Sequence, residues 1–226
     1  MVGGSREAFL RSLASTPEST RGALDNSSLH FLLGEGINTF LVDRPSTRDL
    51  VIQSLIEPIL DLGRVIYVDL DTSFRAINRI NGKDHQNLIF IIPKGDDVED
   101  ALVSLLSWTD PNLKLLVMDS VTMFSHIVST TSDFVSKNRR LGYYLALMRE
   151  FVSRIGVPMV ITSHLGYRRV NGNDWTKKYS GGRILEYHSS SIFNALVSDD
   201  SLSIKVMKSD DQMLIGRVFL VQTNIP

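Results

Sequence analysis

The chain has 226 residues, a formal net charge of -1 and no cysteine, and 43% of its residues are hydrophobic against 22% charged. This globular composition is far from that of an intrinsically disordered chain, and the missing cysteine excludes disulfide scaffolds, thiolate metal sites and cysteine nucleophiles. The first thirty residues have no apolar signal segment, and no run approaches the ~18 apolar residues that span a bilayer, so we expect a cytoplasmic protein.

In chain order, residues 1–30 are rich in Ser, Thr, Gly and charge, which predicts a loosely ordered N-terminal arm before a core domain over 31–226. Five short apolar runs then alternate with helical patterns, as is typical of buried parallel strands connected by helices. The strand runs are 39–42, 65–70, 88–92, 115–118 and 159–162, and the helical patterns cover 50–59, 98–106 and 141–152.

After residue 180 the pattern changes to three strand-like runs joined by turn residues, at 191–197, 202–207 and 217–222. These runs predict an antiparallel edge that continues the sheet. The whole order favours an α/β fold, a doubly wound and mostly parallel sheet with helices on both faces and an antiparallel C-terminal edge.

Polar residues follow three of the predicted strands, where ligands of such sheets usually bind. In LLVMDS (115–120), Asp119 follows four apolar residues at the strand end, which is the form of a Walker B element, whose Asp holds Mg²⁺ through water near nucleotide phosphates. Asp69 and Asp71 end a second strand, and Ser163 and His164 end the fifth. The alternatives are that the Asp residues are hydrogen-bonded strand-end or turn-capping groups and that His164 is structural.

The order and spacing of these segments resemble the ATPase core of the RecA/RadA recombinase family, in particular the short archaeal RadA and RadB paralogs that lack an N-terminal helix-hairpin-helix domain. The resemblance covers residues 31–222 and implies a RecA-like fold. It places Asp71 at the position of the catalytic Glu, and Ser163 and His164 at the nucleotide-sensing Asn-Gln pair. The best-matching pieces are YVDLDTSF (67–74), LLVMDS (115–120), residues 138–164 and SGGRIL (180–185).

The phosphate loop is where the sequence departs from the family pattern. Aligned on the preceding strand, VDRPSTRD (42–49) stands where the family has G-x-x-x-x-G-K-[ST]. The two Gly positions are then Val42 and Thr47, the Lys position is Arg48, and the Mg²⁺-binding position is Asp49. Glycines let backbone N–H groups converge on phosphate oxygens, and the branched Val42 and Thr47 resist those dihedral angles.

Ser46 and Asp49 are also spaced as an N-capping pair that would open the next helix, and Pro45 removes one amide of the loop. The Asp49 carboxylate would then satisfy the amides and the positive helix end that normally attract phosphate. We therefore expect no ATP, Mg²⁺ or other metal cofactor and no conventional catalysis. Asp71, Asp119 and His164 remain as vestigial catalytic candidates.

The segment 165–182, LGYRRVNGNDWTKKYSGG, has four cationic residues against one Asp, a net charge of +3 that leaves -4 for the rest of the chain. Cations supply phosphate affinity and aromatic rings supply base stacking. The resemblance places the second DNA-binding loop here, and a weaker first loop near 125–137. The alternative is a solvated loop anchored by its aromatic residues. The candidate DNA-binding residues are Tyr167, Arg168, Arg169, Trp175, Lys177, Lys178, Tyr179 and Arg183.

The leading hypothesis is a non-catalytic RecA/RadA-like paralog that modulates homologous recombination and DNA repair. Its expected partners are DNA, in the first place single-stranded, and a RadA-type recombinase or another paralog, in a homo- or hetero-oligomer with no membrane. We expect it to associate with the nucleoid, or to be nuclear if the source is a eukaryote. Two alternatives stay open: a DNA-dependent ATPase with a modified site that uses Arg48 and Asp119, and a pure scaffold protein.

Overall fold

The computed structural model describes residues 22–24, 26–71, 86–93, 97–127, 134–170, 174–179, 181–198 and 201–222. Its strands are β1 (Gly22–Leu24), β2 (Ile37–Val42), β3 (Arg64–Asp69), β4 (Leu88–Ile91), β5 (Leu113–Asp119), β6 (Met159–Val170), β7 (Asp174–Tyr179), β8 (Ser189–Ser198), β9 (Ser201–Lys208) and β10 (Val218–Gln222). Its α-helices are α1 (Pro45–Leu60), α2 (Asp97–Leu106), α3 (Val121–Ile127), α4 (Phe134–Ile155) and α5 (Gly182–His188), with 3-10 helices at Asn26–Leu32 and Gln212–Leu214.

The strands form one sheet in the order β1-β10-β9-β8-β2-β6-β5-β3-β4, and β7 pairs with β6 outside this path. The strands from β8 to β4 run parallel to one another, while β9 is antiparallel to both β8 and β10. The predicted doubly wound α/β sheet with an antiparallel C-terminal edge is confirmed.

The parallel strands are buried on both faces because alternate residues of each strand enter different hydrophobic clusters. In β3, Val65 and Tyr67 pack with α1 and the first 3-10 helix, while Ile66 and Val68 pack with α2, α3 and α4. Two helical layers therefore cover the sheet, as its continuous apolar runs predict.

The antiparallel strands have one buried face and one open face. Phe193, Ile204 and Phe219 lie in the cluster under α1. The opposite face of these strands forms a shallow groove whose lining includes Asn194, Ser203, Lys205 and other residues of β8, β9 and β10. Among the described residues, no helix has the length and apolar character that a membrane crossing requires.

The structure corrects the predicted boundary between arm and core at residue 30. β1 pairs in parallel with β10, in the register Gly22 with Phe219, and Leu29 in the 3-10 helix is fully buried. The folded core therefore includes residues before Phe31. Residues 1–21 lie outside the described part of the chain.

The predicted loop at 165–182 is corrected as well. β6 continues to Val170 and pairs with the antiparallel β7, from Leu165 with Tyr179 to Val170 with Asp174. The basic segment is thus an antiparallel hairpin that projects from a central strand. The predicted first loop is bounded by α3 and α4, and residues 128–133 between these helices lie outside the described residues.

Candidate functional site

The carboxyl ends of the parallel strands bring the predicted strand-end residues together at one edge of the sheet. Asp69 of β3 lies in register with Asp119 of β5, and Val42 of β2 lies in register with His164 of β6. Asp69 and Asp119 are both fully buried. The first turns of α1 lie against the same edge and add Arg48 and Asp49.

A single buried guanidinium lies among three carboxylates there, and we refer to Arg48, Asp49, Asp71 and Asp119 as the Arg48 cluster. Arg48 is only 3% exposed. Its Nη1 lies 2.6 Å from Asp71 Oδ2, its Nη2 lies 3.1 Å from Asp49 Oδ1, and its Nε lies 3.5 Å from Asp119 Oδ2. Burial acts to lower the pKa of Arg48, but the charges of Asp119, Asp49 and Asp71 outweigh it and raise the pKa above its ordinary value. Arg48 is therefore a permanent cation.

Asp119 accepts hydrogen bonds from two further buried side chains. Tyr67 donates its hydroxyl to Asp119 Oδ2 at 2.6 Å, and Thr162 donates its hydroxyl to Asp119 Oδ1. Burial raises the pKa of Asp119 above its ordinary value, although Arg48 and both hydrogen bonds act against this rise. Burial and the nearby Asp119 also raise the pKa of Tyr67, so its hydroxyl keeps its proton and donates to Asp119.

Asp71 lies at the outer side of the cluster. Ser120 donates its hydroxyl to Asp71 Oδ1 at 3.1 Å, and His164 Nε2 lies 3.5 Å from Asp71 Oδ2. Burial acts to raise the pKa of Asp71, but the hydrogen bonds from His164 and Ser120 and the charge of Arg48 hold it below its ordinary value. Asp71 is therefore an anion tied to β5, β6 and α1 at once.

The connection that corresponds to a phosphate loop is two residues long, because β2 ends at Val42 and α1 begins at Pro45. The predicted capping by Ser46 and Asp49 is wrong: the N-cap is Arg44, whose side chain makes no capping bond. Pro45 is the first helical residue, where the missing N–H costs no hydrogen bond.

Side chains at and just before the start of α1 bond to nearby protein groups. Thr47 donates its hydroxyl to Asp43 Oδ1 at 2.7 Å, and Arg44 Nη2 donates to the Val197 carbonyl at 3.3 Å. Among the described residues, no group of three or more acidic or histidine side chains is arranged to hold a metal ion.

The structure brings the strand-end candidates and the phosphate-loop candidates together, because Arg48 directly contacts Asp49, Asp71 and Asp119. Sequence reasoning missed Tyr67, Thr162 and Ser120. Tyr67 and Thr162 lie inside apolar strand runs and look like ordinary core positions, and Ser120 looks like a turn residue. Their only signal is that each comes within two residues of a strand-end Asp or His.

The hairpin β6–β7 places the basic and aromatic candidates on a two-stranded ribbon. Tyr167 is paired with Lys177, and Arg169 with Trp175. Directly paired positions of an antiparallel ladder share a face, so aromatic and cationic positions alternate along one face of the ribbon. Arg168 and Lys178 lie at alternate positions, opposite Thr176 and Gly166. Only the backbone is described between 167 and 178, while Tyr179 is half-buried and Arg183 is exposed on α5.

A tight junction anchors the base of this hairpin to the core. Gly181, the N-cap of α5, has φ 84°, which favours glycine. Lys208 of β9 donates to the carbonyls of Glu186 and Ser189 at 2.6 Å each, at the end of α5. A cation at that position satisfies carbonyl groups that a helix leaves unpaired.

No family model matches the sequence. No curated protein matches it either. Among solved structures, the crystal structure of the RadB recombinase is similar over 89% of this chain and 94% of that one, with a TM-score of 0.62 and 16% sequence identity. At that identity the likeness concerns the fold alone. The chain has a RecA-like fold.

Proposed function

We propose that this protein is a non-catalytic RecA/RadA-like paralog that binds single-stranded DNA, a recombinase partner, or both, and thereby modulates homologous recombination and repair. The observation on which the proposal mainly rests is the Arg48 cluster. An enzyme of this fold class needs a phosphate cradle and a metal at this edge, and the residues present do not fit either group.

The misfit with ATP and Mg²⁺ has two parts. A connection of two residues ahead of α1 is too short for the six-residue stretch that wraps around phosphates. The carboxylates of Asp71 and Asp119 already accept bonds from Arg48 and from neighbouring hydroxyl groups, so a metal ion would have to displace these partners. Both parts support a non-catalytic core.

DNA binding is supported by the hairpin. Four cations and three aromatic residues lie on or beside a ribbon that extends from the centre of the sheet. Cations bind phosphates without regard to sequence, and aromatic rings stack on unpaired bases, so this combination fits a single strand better than a duplex.

The first experiment measures binding of fluorescent single-stranded and duplex DNA by anisotropy between about 50 and 200 mM salt. For the Arg168→Ala, Lys177→Ala double variant we expect weaker binding, with the slope of log K against log salt reduced by about 1.4 for two lost phosphate contacts. The matched control is Lys114→Ala with Lys205→Ala, two exposed lysines outside the hairpin. An equal loss in the control, or binding without any salt slope, would remove DNA from the proposal.

Base stacking has a different signature from charge. Trp175→Leu should lower affinity for single-stranded DNA by about 1–3 kcal/mol while leaving the salt slope unchanged. A separate titration with MgATP addresses the ATPase alternative, because micromolar affinity would contradict a non-catalytic core.

A further inference from the structure

The Arg48 cluster has an unusual charge balance for the inside of a protein. One guanidinium lies within 3.5 Å of three carboxylates, and all four residues are buried or nearly so. Burying uncompensated carboxylates is costly, so acidic groups gathered in a core require a cation. Here the required cation is part of the chain.

We propose that the Arg48 guanidinium is a built-in cation that takes the place of a bound metal ion at the carboxyl edge of the sheet, so that the core is complete without metal or nucleotide. This rests on the non-catalytic part of the proposed function and is independent of DNA binding.

The geometry supports this role because every nitrogen of the guanidinium faces a carboxylate. Nη1 donates to Asp71, Nη2 donates to Asp49, and Nε lies between Asp49 at 3.3 Å and Asp119 at 3.5 Å. A planar fork of five N–H donors can serve three carboxylates at once, whereas an ammonium group on a flexible stem is a point charge.

The cluster also ties one helix to three strands. Arg48 belongs to α1, while Asp71 lies two residues after the end of β3 and Asp119 ends β5. Thr162 and His164 of β6 bond to Asp119 and Asp71 respectively. One internal cation thus holds the elements that meet at this edge in a single arrangement.

The test is thermal unfolding of the full chain in chelator-treated buffer, with and without MgCl₂, CaCl₂, MgATP, or NaCl at matched ionic strength. For the native protein we expect the same midpoint in every solution. For Arg48→Met we expect a midpoint lower by about 10 °C, because one member of a buried ion cluster is lost, with part of the loss restored by Mg²⁺ or Ca²⁺ and not by NaCl.

Arg64→Met is the matched control. Arg64 lies 2.6 Å from Asp110, the same N–O distance as in the Arg48–Asp71 pair, but it is 44% exposed. This variant should unfold near the native midpoint and show no cation response.

Two milder variants keep the inference testable if Arg48→Met does not fold. Arg48→Lys should lower the midpoint less and respond to Mg²⁺ or Ca²⁺, because lysine cannot reach three carboxylates together. Asp49→Asn keeps Arg48 with two carboxylates and should stay insensitive to cations.

The inference is overturned if MgCl₂ or MgATP raises the native midpoint, or if both Arg48 variants unfold as the native protein does. DNA affinity is measured separately on the native protein. A failure to bind DNA would not change the thermal midpoints. A thermal result against the role of Arg48 would likewise leave the measured DNA affinity unchanged.

Discussion

Two ion pairs of equal length show how surroundings decide what a single residue contributes. The Arg48–Asp71 and Arg64–Asp110 pairs both have an N–O distance of 2.6 Å. The first pair is buried among other carboxylates, and breaking it leaves an uncompensated charge inside the protein. The second lies at the surface, where water and salt screen it.

The lowered pKa of Asp71 makes the stability contributed by the Arg48–Asp71 pair depend on pH. A carboxylate whose folded-state pKa lies below the ordinary value stabilises the fold above about pH 4 and loses that contribution as pH falls through the folded pKa. We expect Asp71→Asn to be about 2 kcal/mol less stable than the native protein at pH 7, with the gap narrowing below about pH 4. Urea unfolding across this pH range measures the gap.

The pKa of Asp119 is raised mainly by burial and partly by the charge of Asp71, so Asp71→Asn should also lower the pKa of Asp119. This change partly offsets the narrowing of the gap at low pH, because protonation of Asp119 then stabilises the native protein more than the variant. Asp110→Asn is the control, and its smaller effect should fade with added salt. A deficit of Asp71→Asn that stays constant from pH 7 to pH 2 would contradict an ionised Asp71 partnered by Arg48.

Residues of the site differ in how far the sequence could predict them. Arg48, Asp71, Asp119 and His164 were identified because strand ends and a known loop position pick them out. Their mutual contacts could not be predicted, because the Asp49 side chain had two possible uses: capping its own helix or pairing with Arg48. Burial favours the pairing of Asp49 with Arg48, because a buried guanidinium without carboxylates costs more free energy than a solvated helix end without a cap.

At the scale of elements, the start of α1 is the part of the phosphate-loop region that the sequence does not predict. The substitutions at Val42 and Thr47 predicted a poor phosphate cradle, but not that the helix would start early enough to replace it. Proline is favourable at the first helical position, so Pro45 lets the helix begin two residues sooner than a Ser46 cap implies.

The junction between the hairpin and α5 offers a test of backbone geometry. A Cβ at Gly181 would lie 2.8 Å from Leu185 Cγ, and Leu185 is buried, so it cannot easily move. Gly181→Ala should destabilise the protein by about 2–3 kcal/mol, combining a left-handed backbone with a steric clash. Chemical denaturation measures the loss.

Gly156→Ala separates these two contributions. Gly156 also has a positive φ, 66°, but a Cβ there would meet nothing within 4 Å. Its loss should therefore be about 1 kcal/mol, from the backbone alone. Equal losses at Gly156 and Gly181 would show that Leu185 does not constrain the junction.

At the scale of the whole molecule, the fold was more predictable than the site. Continuous apolar runs identify strands buried on both faces, and helical patterns between them require crossover connections, so few topologies remain. The sequence does not predict that strand pairing begins before residue 30, because β1 is only three residues long and GAL (22–24) carries no alternation or turn signal. The hairpin is not predicted either, because glycines and charged residues in this segment are typical of a loop.

The short β1 covers the outer edge of β10, and this leads to a prediction about self-association. Pairing with Gly22–Leu24 satisfies the backbone groups of β10 on that side. Removal of residues 1–24 should expose an edge strand that pairs with other chains, which light scattering after gel filtration would detect as larger species.

Removal of residues 1–21 is the control, because it keeps β1. If both truncated chains show the same size distribution, the outer edge of β10 does not need β1 to prevent association.

The length of β6 connects the central sheet to the β6–β7 hairpin. Met159–His164 lies in the centre of the sheet beside β2, and Leu165–Val170 pairs with β7 alone. Since successive residues of a strand point to opposite faces, inserting one residue between His164 and Leu165 would exchange the two faces of the ribbon while leaving the core register untouched. The number of residues at the junction between His164 and Leu165 thus sets the direction in which the hairpin presents its aromatic and cationic positions. The kind of side chain at those positions does not affect this direction.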